Sequence, residues 1–341
     1  MYFRPYFTGN LHPLMEKYVA SFTEQLKEAL NIGKTAQLSP NKKTFRNVVI
    51  TGLGGSGIGG KIVSQLIVKE ARLPIYINNN YVLPNFVDEH TLVLVSSYSG
   101  NTEETLEAMK MALNKNAEVA AITSGGEVEV LAKANQLNYI SIPGGHPPRT
   151  ALAYSLTQQF FLLNHYGICG NGFINELASA IELLNAESDT IKSKAKSVAE
   201  KVYQKQIAIY SEVMFEGVAT RLRQQLNENA KVLCWHHVLP EMNHNELVGW
   251  AGGNDSIVVL FLRNQSDFLR TKVRMDLSKE IIAKQTPHVI EIWSKGNNPV
   301  QESLYHIHLG DWVSVYLAEL NEVDPIEVDV ITHLKSELAK V

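Results

Sequence analysis

Residues 47–63, NVVITGLGGSGIGGKIV, decide how this chain is read. NVVITGL (47–53) is a short β-branched strand, the glycines after it form a tight loop, and a helix is expected from about Ile58 to Lys69. The same order recurs in TLVLVSSYSGNTEET (91–105), where the strand 91–97 runs into a hydroxyl-rich loop and a helix over Thr102 to Leu113. PIYI (74–77), EVAAITS (118–124) and NYISIP (138–143) supply further strands. Strands that alternate with helices predict an α/β fold, with a mainly parallel sheet flanked by helices on both faces.

Upstream, Leu14, Tyr18, Phe22, Leu26 and Leu30 recur at intervals of four and predict one packing helix over 12–31. Downstream, Pro147 and Pro148 break the chain before a long apolar helix, ALAYSLTQQFFLLNHY, that ends near Gly167. Residues 173–203 are helical and polar-faced with no strand signal, which reads as a connection. A second alternation then begins: QIAIYSE (206–212), a helix through Arg221 to Leu226, KVLCW (231–235), a helix after Pro240, SIVVLFL (256–262), a helix over 268–283 and HVIEIW (288–293). Two closing helices follow at about 300–320 and 327–340. The halves are alike, so the expected division is 1–170 for a first domain with a leading helix, 171–204 for a helical connection and 205–341 for a second domain.

The 341 residues are 45% hydrophobic and 19% charged, which excludes a largely disordered chain. Lys plus Arg number 31 against 35 acids, and no basic block occurs, so a nucleic-acid partner is not expected. The opening MYFRPYFTGNLHP lacks a signal-peptide core, and no apolar run reaches the ~20 residues that span a bilayer. The chain reads as cytoplasmic and not membrane-bound. Cys169 and Cys234 form no disulfide framework and read as reduced, buried residues.

The loop Thr51–Lys61 satisfies G-x-G-x-x-G at Gly52, Gly54 and Gly57, and misses a phosphate-binding P-loop because Ile62 stands where Ser or Thr would bind Mg²⁺. A dinucleotide site wants an acid after the second strand, where this chain has Asn78-Asn79-Asn80. A packing turn would account for the glycines alone. The second loop adds Ser96, Ser97, Ser99 and Thr102 at a helix N-terminus, where donors and macrodipole together suit a phosphate monoester without a metal. Capping by Thr102 would explain one of these hydroxyls.

GLGGSGIGG, SSYSGNTEET and ITSGG together resemble the sugar isomerase (SIS) fold, in which S-x-S-G-x-T binds the phosphate of a sugar phosphate. The later runs Pro148-Arg149-Thr150-Ala151, Leu226-Asn227-Glu228-Asn229, Pro240 to Glu246 and Leu334 to Leu338 are similar to those of the bifunctional phosphoglucose/phosphomannose isomerases. The likeness runs from about residue 45 to the C-terminus and implies two SIS-type domains. It implies an isomerase that interconverts glucose 6-phosphate and mannose 6-phosphate with fructose 6-phosphate by metal-independent proton transfer through an enediolate, with no cofactor.

Such a reaction needs a phosphate grip, a ring-opening group, a base that moves a proton between C1 and C2, and a cation near the enediolate. Gly55, Ser56, Ser97, Ser99 and Thr102 are the expected phosphate seat. Glu228 alone would read as a solvated turn acid, and the resemblance makes it the base. Arg149, at the start of an apolar helix where a cation opposes the dipole, is implied to stabilise the enediolate. Lys335 matches the family lysine beside the ring oxygen. His244, sixteen residues after Glu228, is implied to open the ring in the site of a neighbouring subunit, which makes a homodimer with shared sites. Glu241 and Glu246 flank it as orienting or capping groups.

Zinc is the alternative chemistry, since Cys234, His236, His237, Glu241 and His244 are close in sequence and His306 and His308 form H-x-H. His236 and His237 should point to opposite faces of a strand, and no complete ligand frame is present. A sugar-phosphate sensor of the same fold would keep the hydroxyl loop and not need Glu228, His244 or Lys335. A ketose-aminating enzyme would need a glutaminase cysteine, and both cysteines lie inside the sugar-binding halves.

Overall fold

The structure, a computed structural model, describes residues 12–340. The reading of the first residues as no targeting signal therefore lies largely outside the described residues. In the first half, α1 (Pro13–Ala20) and α2 (Phe22–Thr35) precede β1 (Asn47–Thr51), α3 (Gly54–Leu66), β2 (Ile75–Asn78) and β3 (Thr91–Ser97). Next come α4 (Glu103–Asn114), β4 (Glu118–Thr123), α5 (Gly126–Ala134), β5 (Asn138–Ser141) and α6 (Leu152–His165). Two helices follow, α7 (Phe173–Ala186) and α8 (Ser188–Val202).

The second half contains β6 (Gln206–Glu212), α9 (Glu216–Glu228), β7 (Cys234–Leu239), α10 (Glu246–Gly249), β8 (Ile257–Arg263) and α11 (Leu269–Ile282). It closes with β9 (Val289–Trp293), α12 (Pro299–Leu320) and α13 (Asp329–Leu338). All strand pairs are parallel, in the orders β2-β1-β3-β4-β5 and β7-β6-β8-β9. Strand for strand, the second sheet repeats the first and lacks only a partner to β5. Both orders reverse beside their first strand, so each sheet has a crevice at the carboxyl ends of two neighbouring strands.

The expected single helix over 12–31 is two, interrupted at Ser21. Its buried apolar residues are Met15, Val19, Phe22, Leu26, Ala29 and Leu30, while Leu14 is exposed. A strict spacing of four advances about 40° per step at 3.6 residues per turn, so Leu14 and Leu30 cannot share a face. Residues 173–203 likewise form two packed helices: α8 lies on α12, and α7 on α12 and α2. The apolar core is continuous from α1 and α2 through α6 to α12, and takes in both sheets. No described helix is long and apolar enough to cross a membrane.

Candidate active site

At the first crevice, β1 and β3 lie side by side and deliver two loops to one place. The glycine loop is helical from Gly54, whose φ of +52° is the left-handed entry that only glycine adopts without cost. Ser56, buried in the first turn of α3, accepts a hydrogen bond at Oγ from the Tyr98 backbone N at 3.0 Å, which fastens the two loops together. Ser97 Oγ lies 3.3 Å from Thr102 Oγ1, and Ser99 Oγ accepts from the Asn101 N at 3.2 Å. Thr102 makes no side-chain cap on α4, so capping does not consume its hydroxyl. A Cβ at Gly100 would fall 1.8 Å from the Gly125 carbonyl, so the hydroxyl loop can sit against the Ser124-Gly125-Gly126 turn only with glycine there.

Across Gly55 stands a second cluster of candidate residues. A Cβ on Gly55 would lie 2.8 Å from the Pro148 carbonyl and 3.2 Å from Arg149 Cα, so its bare backbone lets the loop approach the Pro148–Thr150 turn. Arg149 is 4% exposed and donates from Nε to Asn229 Oδ1 at 2.7 Å and from Nη2 to the Pro325 and Ile326 carbonyls at 2.5 and 3.2 Å. Its Nη1 faces Glu228 Oε2 at 3.5 Å. Burial draws the guanidinium below its ordinary range, and Glu228 opposes that shift. Arg149 is a fixed cation, unlike the solvent-reaching residue its place in the sequence allows.

Glu228 is the last residue of α9, with its side chain 29% exposed. Behind it, Asn229 Nδ2 donates to Ser314 Oγ at 2.9 Å, and Arg221 donates to both Asp311 oxygens at 3.2 and 2.9 Å. Arg221 Nη2 also reaches the Arg149 carbonyl at 2.6 Å. This brace from α12 was not expected from sequence. One signal pointed to it: Asp311 is an acid in a helix otherwise buried almost all round, and such an acid needs a cation.

Lys335 and His244 do not join this cluster. Lys335 is exposed on α13, one turn beyond Ile331 on the same face. Ile331, with Val330, Glu327, Lys231 and Glu228, lines a groove of about 320 Å³. His244 is exposed in the 3₁₀ turn after β7, whereas Glu228 precedes β7. The six residues of that strand rise about 20 Å and hold the two at opposite ends of the second sheet.

His236, His237, His306 and His308 each make other contacts. His236 Nε2 meets Thr220 Oγ1 at 3.1 Å, and His237 Nδ1 meets Glu246 at 2.8 Å on the other face of β7. Burial lowers His306 to about 3 and His308 to about 4, so both are neutral core residues, and their spacing of two on a helix points them apart. Among the described residues no group of three or more His, Cys, Asp or Glu is placed to hold a metal ion. Burial raises the thiols of Cys169 and Cys234 to about 12 and about 11, which disfavours the thiolate; Cys234 is only partly buried, in contrast to the expectation.

The corresponding crevice of the second sheet has its donors taken. Glu302 accepts from the backbone N of Gln265 and Ser266, Glu212 from that of Phe268, and Asp267 from that of Asn264. Carboxylates of the chain sit where the first sheet has hydroxyls. Burial, reinforced by Glu212, pushes Asp267 up to about 7. The folded state then holds a proton that the unfolded chain releases from about pH 4 upward, so stability falls as pH rises from about 4 to about 7. Between about pH 5 and about pH 8 the melting temperature of the protein should drop by more than that of Asp267→Asn. Parallel curves in calorimetry would show that Asp267 titrates normally.

Two parallel sheets that share one apolar core, with hydroxyls and glycines at the first crevice, define a protein of two SIS domains. Residues 45–168 match the SIS domain family, and residues 191–338 match the family described as bacterial phospho-glucose isomerase C-terminal SIS domain. A bifunctional phosphoglucose/phosphomannose isomerase of Caldicellulosiruptor bescii is 36% identical over 96% of this chain and 99% of its own. One of the same name from Aquifex aeolicus is 36% identical over 87% and 91%. The C-terminal domain of glucosamine-fructose-6-phosphate aminotransferase from Francisella tularensis shares the fold alone, with a TM-score of 0.74 over 91% of this chain and 96% of that one at 14% identity. The chain belongs to the bifunctional phosphoglucose/phosphomannose isomerase family, and it is an isomerase.

Proposed function

We propose that the protein interconverts fructose 6-phosphate with glucose 6-phosphate and mannose 6-phosphate by proton transfer, needing no metal or cofactor. The observation that carries this reading is the meeting across Gly55 of a hydroxyl-lined phosphate seat with the Arg149–Glu228 pair. Ser56, Ser97, Ser99 and Thr102 with the α4 N-terminus hold the phosphate, and the sugar extends toward Glu228. Glu228 carries the proton between C1 and C2, while Arg149, already stripped of water, meets the charge that develops on the enediolate oxygen. Lys335 attends the ring oxygen. His244 opens the ring in the partner's site of a homodimer; the separation of its strand end from Glu228 supports supply from a second copy.

We further propose a cytoplasmic enzyme divided at 1–170, 171–204 and 205–341, supported by sheets confined to 47–141 and 206–293. A sensor of the same fold would bind the sugar phosphate and leave it unchanged, so incubation of metal-free protein with fructose 6-phosphate decides between the two. Each neutral hydroxyl bond to phosphate is worth about 0.5–1.5 kcal/mol, so Ser99→Ala should weaken substrate binding several-fold with the fold intact. Unaltered affinity of Ser97→Ala/Ser99→Ala for 6-phosphogluconate, measured by titration calorimetry, would remove the phosphate from this seat.

A further inference from the structure

The segment from Glu241 to Gly252 that carries His244 is built only of single short turns. It consists of a 3₁₀ turn, the four-residue α10 and a second 3₁₀ turn, and only Met242 and Trp250 in it are buried. Neither a ladder nor a long helix fixes where His244 points, so side-chain contacts must do so. Before His244, Met242 is buried and Asn243 Nδ2 donates to Ser278 Oγ at 2.7 Å; after it, the contacts with the sheet converge on Glu246. Its Oε1 accepts from the Tyr210 hydroxyl at 2.5 Å and from Trp235 Nε1 at 2.8 Å, and its Oε2 meets His237 Nδ1 at 2.8 Å. Tyr210, fully buried in β6, also accepts from Trp250 Nε1 at 2.9 Å. The middle and the far end of the segment are thus hooked to one phenol in the sheet. A carboxylate suits this place because the groups around it are donors, and one oxygen already serves two of them.

We propose that Glu246 is a positioning residue for ring opening: with Tyr210, Trp235 and His237 it clasps the segment that presents His244 to a substrate. This rests on the assignment of His244 above, and the test separates the two. In Glu246→Ala all three bonds are lost, so kcat for fructose 6-phosphate should fall about 10–100-fold while KM stays within about twofold, because the phosphate seat lies elsewhere. Glu246→Gln, which keeps an acceptor for Tyr210 and Trp235, should recover part of the loss. The deciding measurement is the double-variant cycle with His244→Ala. A residue that acts only through His244 has nothing left to position once the imidazole is gone, so Glu246→Ala/His244→Ala should be no slower than His244→Ala. Multiplying losses, or a raised KM at unchanged kcat, would overturn the clasp. A His244→Ala protein of full activity would overturn the assignment of His244 and the clasp with it. If Glu246→Ala fails to fold, Tyr210→Phe enters the same cycle with a smaller expected loss in kcat and the same requirement that it vanish in the His244→Ala background.

Discussion

Glu228→Gln should turn over fructose 6-phosphate about 10²–10⁴-fold more slowly than the parent protein, with its affinity for 6-phosphogluconate nearly unchanged. The amide keeps the shape at the end of α9 and removes the base. Arg149 should stay in place, because Asn229 and two carbonyls hold it at 2.5–3.2 Å, closer than Glu228 at 3.5 Å. Single-turnover assays beside inhibitor titrations would read both quantities. A variant that kept rapid turnover would make Glu228 a helix-end residue and nothing more.

The second large effect concerns His244. His244→Ala and Glu228→Gln should each be nearly inactive alone, and a mixture of the two after subunit exchange should recover about a quarter of parental activity. Random reassociation makes about half of the dimers mixed, and each mixed dimer unites one intact Glu228 with one intact His244. The basis is the β7 strand, which spans about 20 Å between the two residues within a chain. If mass spectrometry confirms exchange and no activity returns, both groups serve one chain.

Where the sequence was legible, a single physical pattern dominated. Thr91–Ser97 is buried at every position and lies where its apolar Leu92–Val95 run places it. The duplication was also visible, because strands and helices alternate at the same rhythm in both halves. The sequence places the start of α3 at Ile58 and the structure places it at Gly54, since glycines read as loop although one with a positive φ can open a helix. β7 was expected over 231–235 and runs over Cys234–Leu239. It is a half-buried edge strand whose polar residues meet polar partners on both faces, so periodicity carried little signal. The helix α5 went unseen because only Val128 and Ala132 of its nine residues are buried.

The candidate site divided along the same lines. Loops that carry glycines and hydroxyls announce an anion locally, and Ser56, Ser97 and Thr102 come together as those loops do. The meeting of Arg149 with Glu228 and the Arg221–Asp311 brace span 79 and 90 residues and depend on packing that no local pattern encodes. Resemblance supplied the first of these, and for the second the buried acid Asp311 signals only that a cation is needed, without naming Arg221.

The most direct test of the whole account is conversion of fructose 6-phosphate by the metal-free protein in D₂O, with glucose 6-phosphate and mannose 6-phosphate separated and each examined by NMR at C2. A partly exposed carboxylate that carries the proton exchanges with solvent, so both aldoses should form and both should carry deuterium at C2. Absence of aldose would contradict the isomerase reading, and aldoses with no deuterium at C2 would contradict proton transfer by a base in exchange with solvent.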